Sequence, residues 1–244
     1  MKRFLIALLF VPALAFASGS EVHLDHAPDV QGDSAALQHG AQLFVNYCLN
    51  CHGASYLRYN KLKDLGLTEQ QIKENLMFTA DKIGEPMRVA IRPDEAKKWF
   101  GSTPPDLTII ARSRASEAGS GADWLYTYLR SFYRDDKRPT GWNNVVFENV
   151  GMPHILWELQ GQQIVKVEKG AEGKEHKHLE LAVPGKLTVA EYDKAVGDLV
   201  GFLVWAGEPQ ASLRKKLGLG VLVFLGVMFV LSYALKKNYW KDIH

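Results

Sequence analysis

Cys48-Leu49-Asn50-Cys51-His52 is the stretch of this chain whose residue types and spacing can do covalent chemistry. Two thiols three residues apart can each add across one vinyl group of a haem, forming two thioethers. The histidine that follows directly is then placed to offer an imidazole nitrogen to the iron. A disulfide, or half of a zinc site, is the competing reading of two neighbouring cysteines. Cys48 and Cys51 are the only cysteines in the chain, so no second C-x-x-C completes a zinc site. A histidine immediately after the second cysteine is not a zinc spacing either. The motif reads as the attachment point of one covalent haem c.

What such an iron does is decided by its sixth position. A thioether there closes the site and favours reduced iron, whereas an open position admits oxygen or peroxide chemistry. Of the five methionines, Met1 falls in an expected leader, Met228 in an apolar span, and Met77 reads as a core residue of a short helix. Met152 lies in Gly151-Met152-Pro153 on a long irregular segment, which suits a ligand that must point at a fixed plane. Met87, after Glu85-Pro86, stays open as a ligand, and so does His154, which would give a bis-histidine haem of lower potential.

The elements that must position these groups are mostly helical. Ser34–Cys48 reads as one helix capped by Ser34, with Leu37, Ala41, Phe44 and Val45 or Tyr47 at helical spacing. Gly40 inside it is explained by a close helix crossing. Thr68 with Gln71 and Thr188 with Glu191 are capping-box pairs, opening helices to Leu76 and to Trp205 respectively. Asp94–Phe100 is a further short helix. Pro104-Pro105 interrupts, and Asp106 is expected to cap a helix running past Ile109, Ile110 and Arg114. Asp123–Tyr133 is amphipathic, with Trp124, Leu125, Tyr128, Leu129 and Phe132 on one face. Asp135–Pro153 reads as loop, and Gln162–Thr188 as a β-hairpin.

Both ends of the chain read as membrane-directed. Met1-Lys2-Arg3, the apolar run that follows and Ala15-Phe16-Ala17 have the three parts of a secretory leader over residues 1–17. Leu217–Leu235 has no charged side chain in 19 residues, which at 1.5 Å per residue spans roughly 28 Å, close to the hydrocarbon core of a bilayer. The leader then places residues 18–213 outside the cytoplasm and the tail 236–244 within it. Residues 18–213 carry 21 Lys and Arg against 26 Asp and Glu, a net of −5. That field favours a basic protein partner and disfavours nucleic acid. No Ser-His-Asp, paired-carboxylate or phosphate-loop constellation suggests another chemistry.

Cys48–His52, Pro104-Pro105-Asp106-Leu107 with Arg112 and Arg114 behind it, Gly151-Met152-Pro153 and Phe202–Pro209 occur in that order before a single terminal span. The set resembles the cytochrome c1 family, the haem subunit of the quinol–cytochrome c oxidoreductase or bc1 complex, and the resemblance covers nearly the whole chain after the leader. It implies a mainly α, class I-like c-type cytochrome domain with a small β-hairpin insertion and one C-terminal transmembrane helix. It implies Cys48 and Cys51 as thioether positions and His52 and Met152 as axial ligands. Pro104 and Pro105 would lie beside the haem, and Arg114 near a propionate, which a guanidinium can pair in bidentate fashion. The implied partners are cytochrome b, a Rieske iron–sulfur protein as electron donor, a soluble c-type cytochrome as acceptor, and the lipid bilayer. The implied place is a bacterial inner membrane with the haem domain on the periplasmic side. The 162–188 hairpin departs from the family pattern and carries no inferred role. The alternative in another class is an anchored haem enzyme, such as a peroxidase, with a sixth position that opens.

Overall fold

The computed structural model describes residues 23–89, 91–169 and 175–241. The leader expected over residues 1–17 lies outside them, as do residues 242–244 of the expected tail. Helices α1 (Ser34–Leu43), α2 (Glu69–Asn75), α3 (Pro93–Phe100), α4 (Ile110–Ser113), α5 (Gly121–Arg130), α6 (Trp157–Gln160), α7 (Val189–Gly207) and α8 (Ala211–Trp240) alternate with three small antiparallel pairs. These are β1 (Ala54–Arg58) with β2 (Pro86–Met87), β3 (Phe132–Arg134) with β4 (Trp142–Asn144), and β5 (Gly161–Lys169) with β6 (Glu175–Pro184).

Helix α7 is the axis of the haem-motif domain. Tyr192, Val196, Leu199, Val200, Phe202 and Leu203 on it are all buried, each burial contributing roughly 1.5–3 kcal/mol. Helix α1 crosses it closely enough that a Cβ on Gly40 would sit 2.1 Å from the Asp198 carbonyl oxygen. Phe44 and Phe202 meet beside that crossing with ring centroids 5.6 Å apart. The close crossing expected at Gly40 is thus present. Buried Asp198 pairs with His39 Nδ1 at 2.8 Å and Lys194 at 2.7 Å, so its charge is compensated where water is excluded.

The described arm before α1 is irregular but packed down. Asp25 N–H donates to Thr127 Oγ1 and Ala27 N–H to Asp123 Oδ1, both at 2.8 Å. Arg130 joins the arm to α7 by pairing with Asp25 and Asp193 at 2.7 and 2.6 Å.

Four expectations about elements are corrected. The first helix is capped by Asp33, which accepts from Ala35 and Ala36, and it is α-helical only to Leu43. From Phe44 to Cys48 the chain makes a wider π-helical turn that ends on the first thiol. Asp106 does not cap α4. It accepts from Ser55 N–H at 2.7 Å and from Thr108, tying the proline stretch to β1 instead. Helix α5 starts two residues early, capped by Ser120 with Asp123 reaching back, and stops at Arg130 because the chain turns into β3. The 135–153 segment holds strand β4 and is therefore not all loop. The 162–188 hairpin is present as β5 and β6, and Gln163 ties its base to the Phe132 carbonyl at 2.9 Å.

Helix α8 is 30 residues long, about 45 Å at the α-helical rise. The most apolar 18 residues within Leu213–Trp240 have a mean hydropathy of 2.3, and none of them is buried against the rest of the chain. It is long and apolar enough to cross a bilayer.

Candidate haem site

The elements converge on one apolar cavity of about 280 Å³. Its wall includes Cys48, Cys51, His52, Pro104, Pro105, Arg114 and Met152, so all seven residues expected at the site line the same space. Leu125 and Leu129 of α5 and Leu199 and Leu203 of α7 supply apolar wall.

On one side, the π-helical turn delivers Cys48, and His52 N–H closes the next turn onto the Cys48 carbonyl at 2.8 Å. The two cysteines are not joined in a disulfide. Burial pushes the Cys48 thiol up to about 12, with the neighbouring Cys51 adding to the effect, and burial also raises Cys51. Burial thus disfavours the thiolate, the form that a metal-ligating cysteine must take. The His52 ring is fixed by Nδ1, which lies 2.7 Å from the Pro105 carbonyl oxygen. Because a carbonyl only accepts, Nδ1 carries the proton and Nε2 keeps its lone pair. Burial lowers the His52 pKa, against the hydrogen bond to Pro105 and the charge of Asp106, and so keeps the ring in its metal-binding neutral form. The proline stretch that supplies this carbonyl is itself held, since Leu107 N–H donates to Gly53 O at 2.8 Å.

On the other side, Met152 is presented by the segment after β4. Two buried asparagines shape that segment. Asn144 Oδ1 accepts from Val146 and Phe147 N–H at 2.9 and 3.1 Å, and Asn143 Oδ1 accepts from Asn149 N–H at 2.8 Å. Asn149 takes a positive φ of 62° there, a conformation asparagine tolerates. Tyr128 O–H donates to Met152 Sδ at 3.3 Å. The Arg114 guanidinium lies over the Trp124 ring at 4.5 Å and near Phe147 at 5.8 Å, leaving a cation at the cavity wall.

The other ligand candidates stand elsewhere. Met87 is fully buried in the core on β2. His154 is buried between Phe132, stacked at 4.9 Å, and the edge of Trp142 at 5.0 Å. Desolvation pushes it down to about 4, with the Gln160 side chain opposing, so it is neutral, and it is not on the cavity wall. Met77 lies just past the end of α2 and packs against the core. Sequence reasoning missed Tyr128, Asn143 and Asn144. Tyr128 read as one more apolar-face residue, and the two asparagines as loop composition.

Two thiols, a neutral imidazole and a thioether around an apolar cavity with one cation at its wall fit a covalently held haem. Fold and site together define a membrane-anchored c-type haem protein. The model of the cytochrome c1 family matches residues 28–178 and 184–243, and the unmatched 179–183 fall within β6. A cytochrome c1 of Allochromatium vinosum is 47% identical over 100% of both chains, and one of Rhodospirillum rubrum is 31% identical over 86% of this chain and 83% of its own. A Nitrosomonas europaea protein described as an ammonia monooxygenase gamma subunit is 48% identical over 100% of this chain and 99% of its own. This chain belongs to the cytochrome c1 family. It carries one covalent haem c and is the haem electron-transfer subunit of the bc1 complex, a membrane-anchored redox component of an oxidoreductase. The alternative of an anchored peroxidase finds no support.

Proposed function

We propose that Cys48 and Cys51 would hold the haem by thioethers, that His52 Nε2 and Met152 Sδ would bind its iron, and that Arg114 would pair a propionate, with Pro104 and Pro105 as apolar wall of the same cavity. The observation that carries this reading is the common cavity, with His52 and Met152 on its wall and Met87 and His154 off it. Bound haem supplies one-electron chemistry. The chain's residues keep the imidazole neutral and oriented through Pro105, close the sixth position with a thioether, and line the remainder with leucines that exclude water. No proton transfer is required of any of them.

The domain of residues 18–213 is proposed to stand on the periplasmic side of a bacterial inner membrane, anchored by 217–235. There it receives electrons from a Rieske iron–sulfur protein beside cytochrome b and passes them to a soluble c-type cytochrome. The net charge of −5 over residues 18–213 supports a basic acceptor whose association slows as salt rises.

The test is optical. The reduced holoprotein should be six-coordinate and not bind carbon monoxide. Met152→Leu should open the site to carbon monoxide and lower the potential sharply. An unaltered spectrum in Met152→Leu would place the sixth ligand on another residue.

A further inference from the structure

We propose that Tyr128 is a positioning residue for the sixth ligand: its hydroxyl holds the Met152 thioether in place and biases the site toward the reduced state. The inference rests on the reading of Met152 as an axial ligand. A thioether sulfur has two lone pairs and is a weak acceptor. The contact of 3.3 Å from Tyr128 O–H engages one of them and leaves the other to bind the metal.

The donor is held from three directions. Its ring is stacked on Trp124 at 4.8 Å and 13°, and it meets Phe132 edge-on at 5.0 Å. Tyr128 is only 8% exposed. Its backbone carbonyl accepts from Asn144 Nδ2 at 2.8 Å. Asn144 is the side chain that ties down Val146 and Phe147 on the way to Met152. One buried asparagine thus links the residue that donates to the sulfur with the segment that carries the sulfur. Packing alone would let the two slide; this cross-link fixes their separation.

The sign of the effect follows from the direction of the O–H dipole. Its positive end faces the sulfur, drawing electron density away from the metal-binding lone pair. Oxidised iron depends on that donation more than reduced iron does, so the hydrogen bond favours reduction. The apolar wall leaves the dipole poorly screened, and hydrogen bonds to ligands are an established lever on such sites.

The experiment uses the full-length, haem-loaded chain in detergent. Potentiometric titration compares the unmutated protein, Tyr128→Phe and, as a control on the same helix, Tyr126→Phe. The sulfur-to-iron charge-transfer band of the ferric spectrum is followed in parallel. Tyr128→Phe keeps the ring stack and removes one donor. It should shift the equilibrium between oxidised and reduced forms two- to tenfold toward oxidised, about 20–60 mV downward at 59 mV per tenfold, with the band retained and Tyr126→Phe unmoved. An unchanged potential with the band present in both variants would reduce Tyr128 to packing and overturn the proposal while sparing the ligand reading. A missing band in the unmutated protein would overturn both. Should Tyr128→Phe not load haem, the unmutated chain decides the matter. Exchange into deuterium oxide should shift the iron–sulfur stretching frequency, and an insensitive frequency overturns the proposal.

Discussion

Replacing Asn144 should disconnect the sixth-ligand segment from the helix that supports it. The side chain is fully buried and makes four hydrogen bonds. Its Nδ2 donates to Tyr128 O at 2.8 Å, and its Oδ1 accepts from Ser131 Oγ at 3.2 Å, Val146 N–H at 2.9 Å and Phe147 N–H at 3.1 Å. Asn144→Ala leaves two backbone amides without their acceptor. Phe147 is exposed, so its amide can rehydrate, whereas Val146 is half-buried. The Tyr128 carbonyl keeps the Ser131 N–H as a donor at 3.3 Å. With about 1–3 kcal/mol for a buried polar group left unsatisfied and about 1 kcal/mol for each lost bond that water can replace, the total is roughly 3–5 kcal/mol. Guanidinium titration of the haem-loaded chain, followed by far-ultraviolet dichroism and by haem absorbance, measures it. The absorbance transition should move to lower denaturant than the helical one, because the damage is local to the Met152 segment. Asn144→Leu separates hydrogen bonding from volume: it refills the space and should be no better than alanine. A loss below 1 kcal/mol in Asn144→Ala, or recovery of most of the loss by leucine, would refute the reasoning.

Gly40→Ala should destabilise by about 2–3 kcal/mol through overpacking, since its Cβ meets backbone of α7, whereas Gly84→Ala, with nothing within 4 Å, should stay within about 0.5 kcal/mol; thermal unfolding of both variants checks the contrast. Gly121→Ala should resemble Gly40→Ala, because its Cβ would lie 1.9 Å from the Ala111 carbonyl oxygen, and a near-native midpoint would show that α4 and α5 separate readily. The Asp123 carboxyl sits below its ordinary range: desolvation raises it, but hydrogen bonds from Ala27 and Ser120 and the charge of His26 together outweigh that. A depressed carboxylate contributes stability above the unfolded pKa of about 3.9 and loses it as pH falls through the folded value. Asp123→Asn should therefore flatten the fall in thermal midpoint below about pH 4, and an unchanged slope would remove Asp123 from acid unfolding.

The parts of this chain that were legible in its sequence are those whose signals are local. Cys48–His52 declares its chemistry by spacing, and Thr68 and Thr188 form the capping boxes their Gln71 and Glu191 partners announce. Ser120 with Asp123 forms the same device but escaped because aspartate stands where glutamate or glutamine is usual. The π-helical turn over Phe44–Cys48 has no periodic signature, since one extra residue in a turn leaves hydrophobic spacing almost unaltered. Strand β4 was hidden for a different reason. Trp142-Asn143-Asn144 has turn composition, and its buried asparagines are taken up as ties, Asn143 to the Asn144 and Asn149 amides and the Asp135 carboxylate, Asn144 to the Tyr128 carbonyl and the Val146 and Phe147 amides. Which backbone groups need tying is decided by elements far along the chain, and a single-sequence pattern does not contain it. The seven expected site residues converge on one cavity because each was marked by a short motif, whereas Tyr128 is distinguished only by what its hydroxyl meets.

Only Glu208, Pro209 and Gln210 stand between α7 and α8, and three residues reach at most about 10 Å when fully extended. Even that slack is taken up, since Glu208 pairs with Arg214 Nη2 at 3.1 Å and lies 3.7 Å from Arg112. A tether so short removes translational freedom from one side of every encounter. For a soluble reaction partner, the relative diffusion coefficient becomes that of the partner alone. For a partner embedded in the same membrane, the search is confined to two dimensions. Turnover at this anchored site is then tuned by the mobility and concentration of what visits it, and lengthening the connector would change collision frequency without touching a single residue of the cavity.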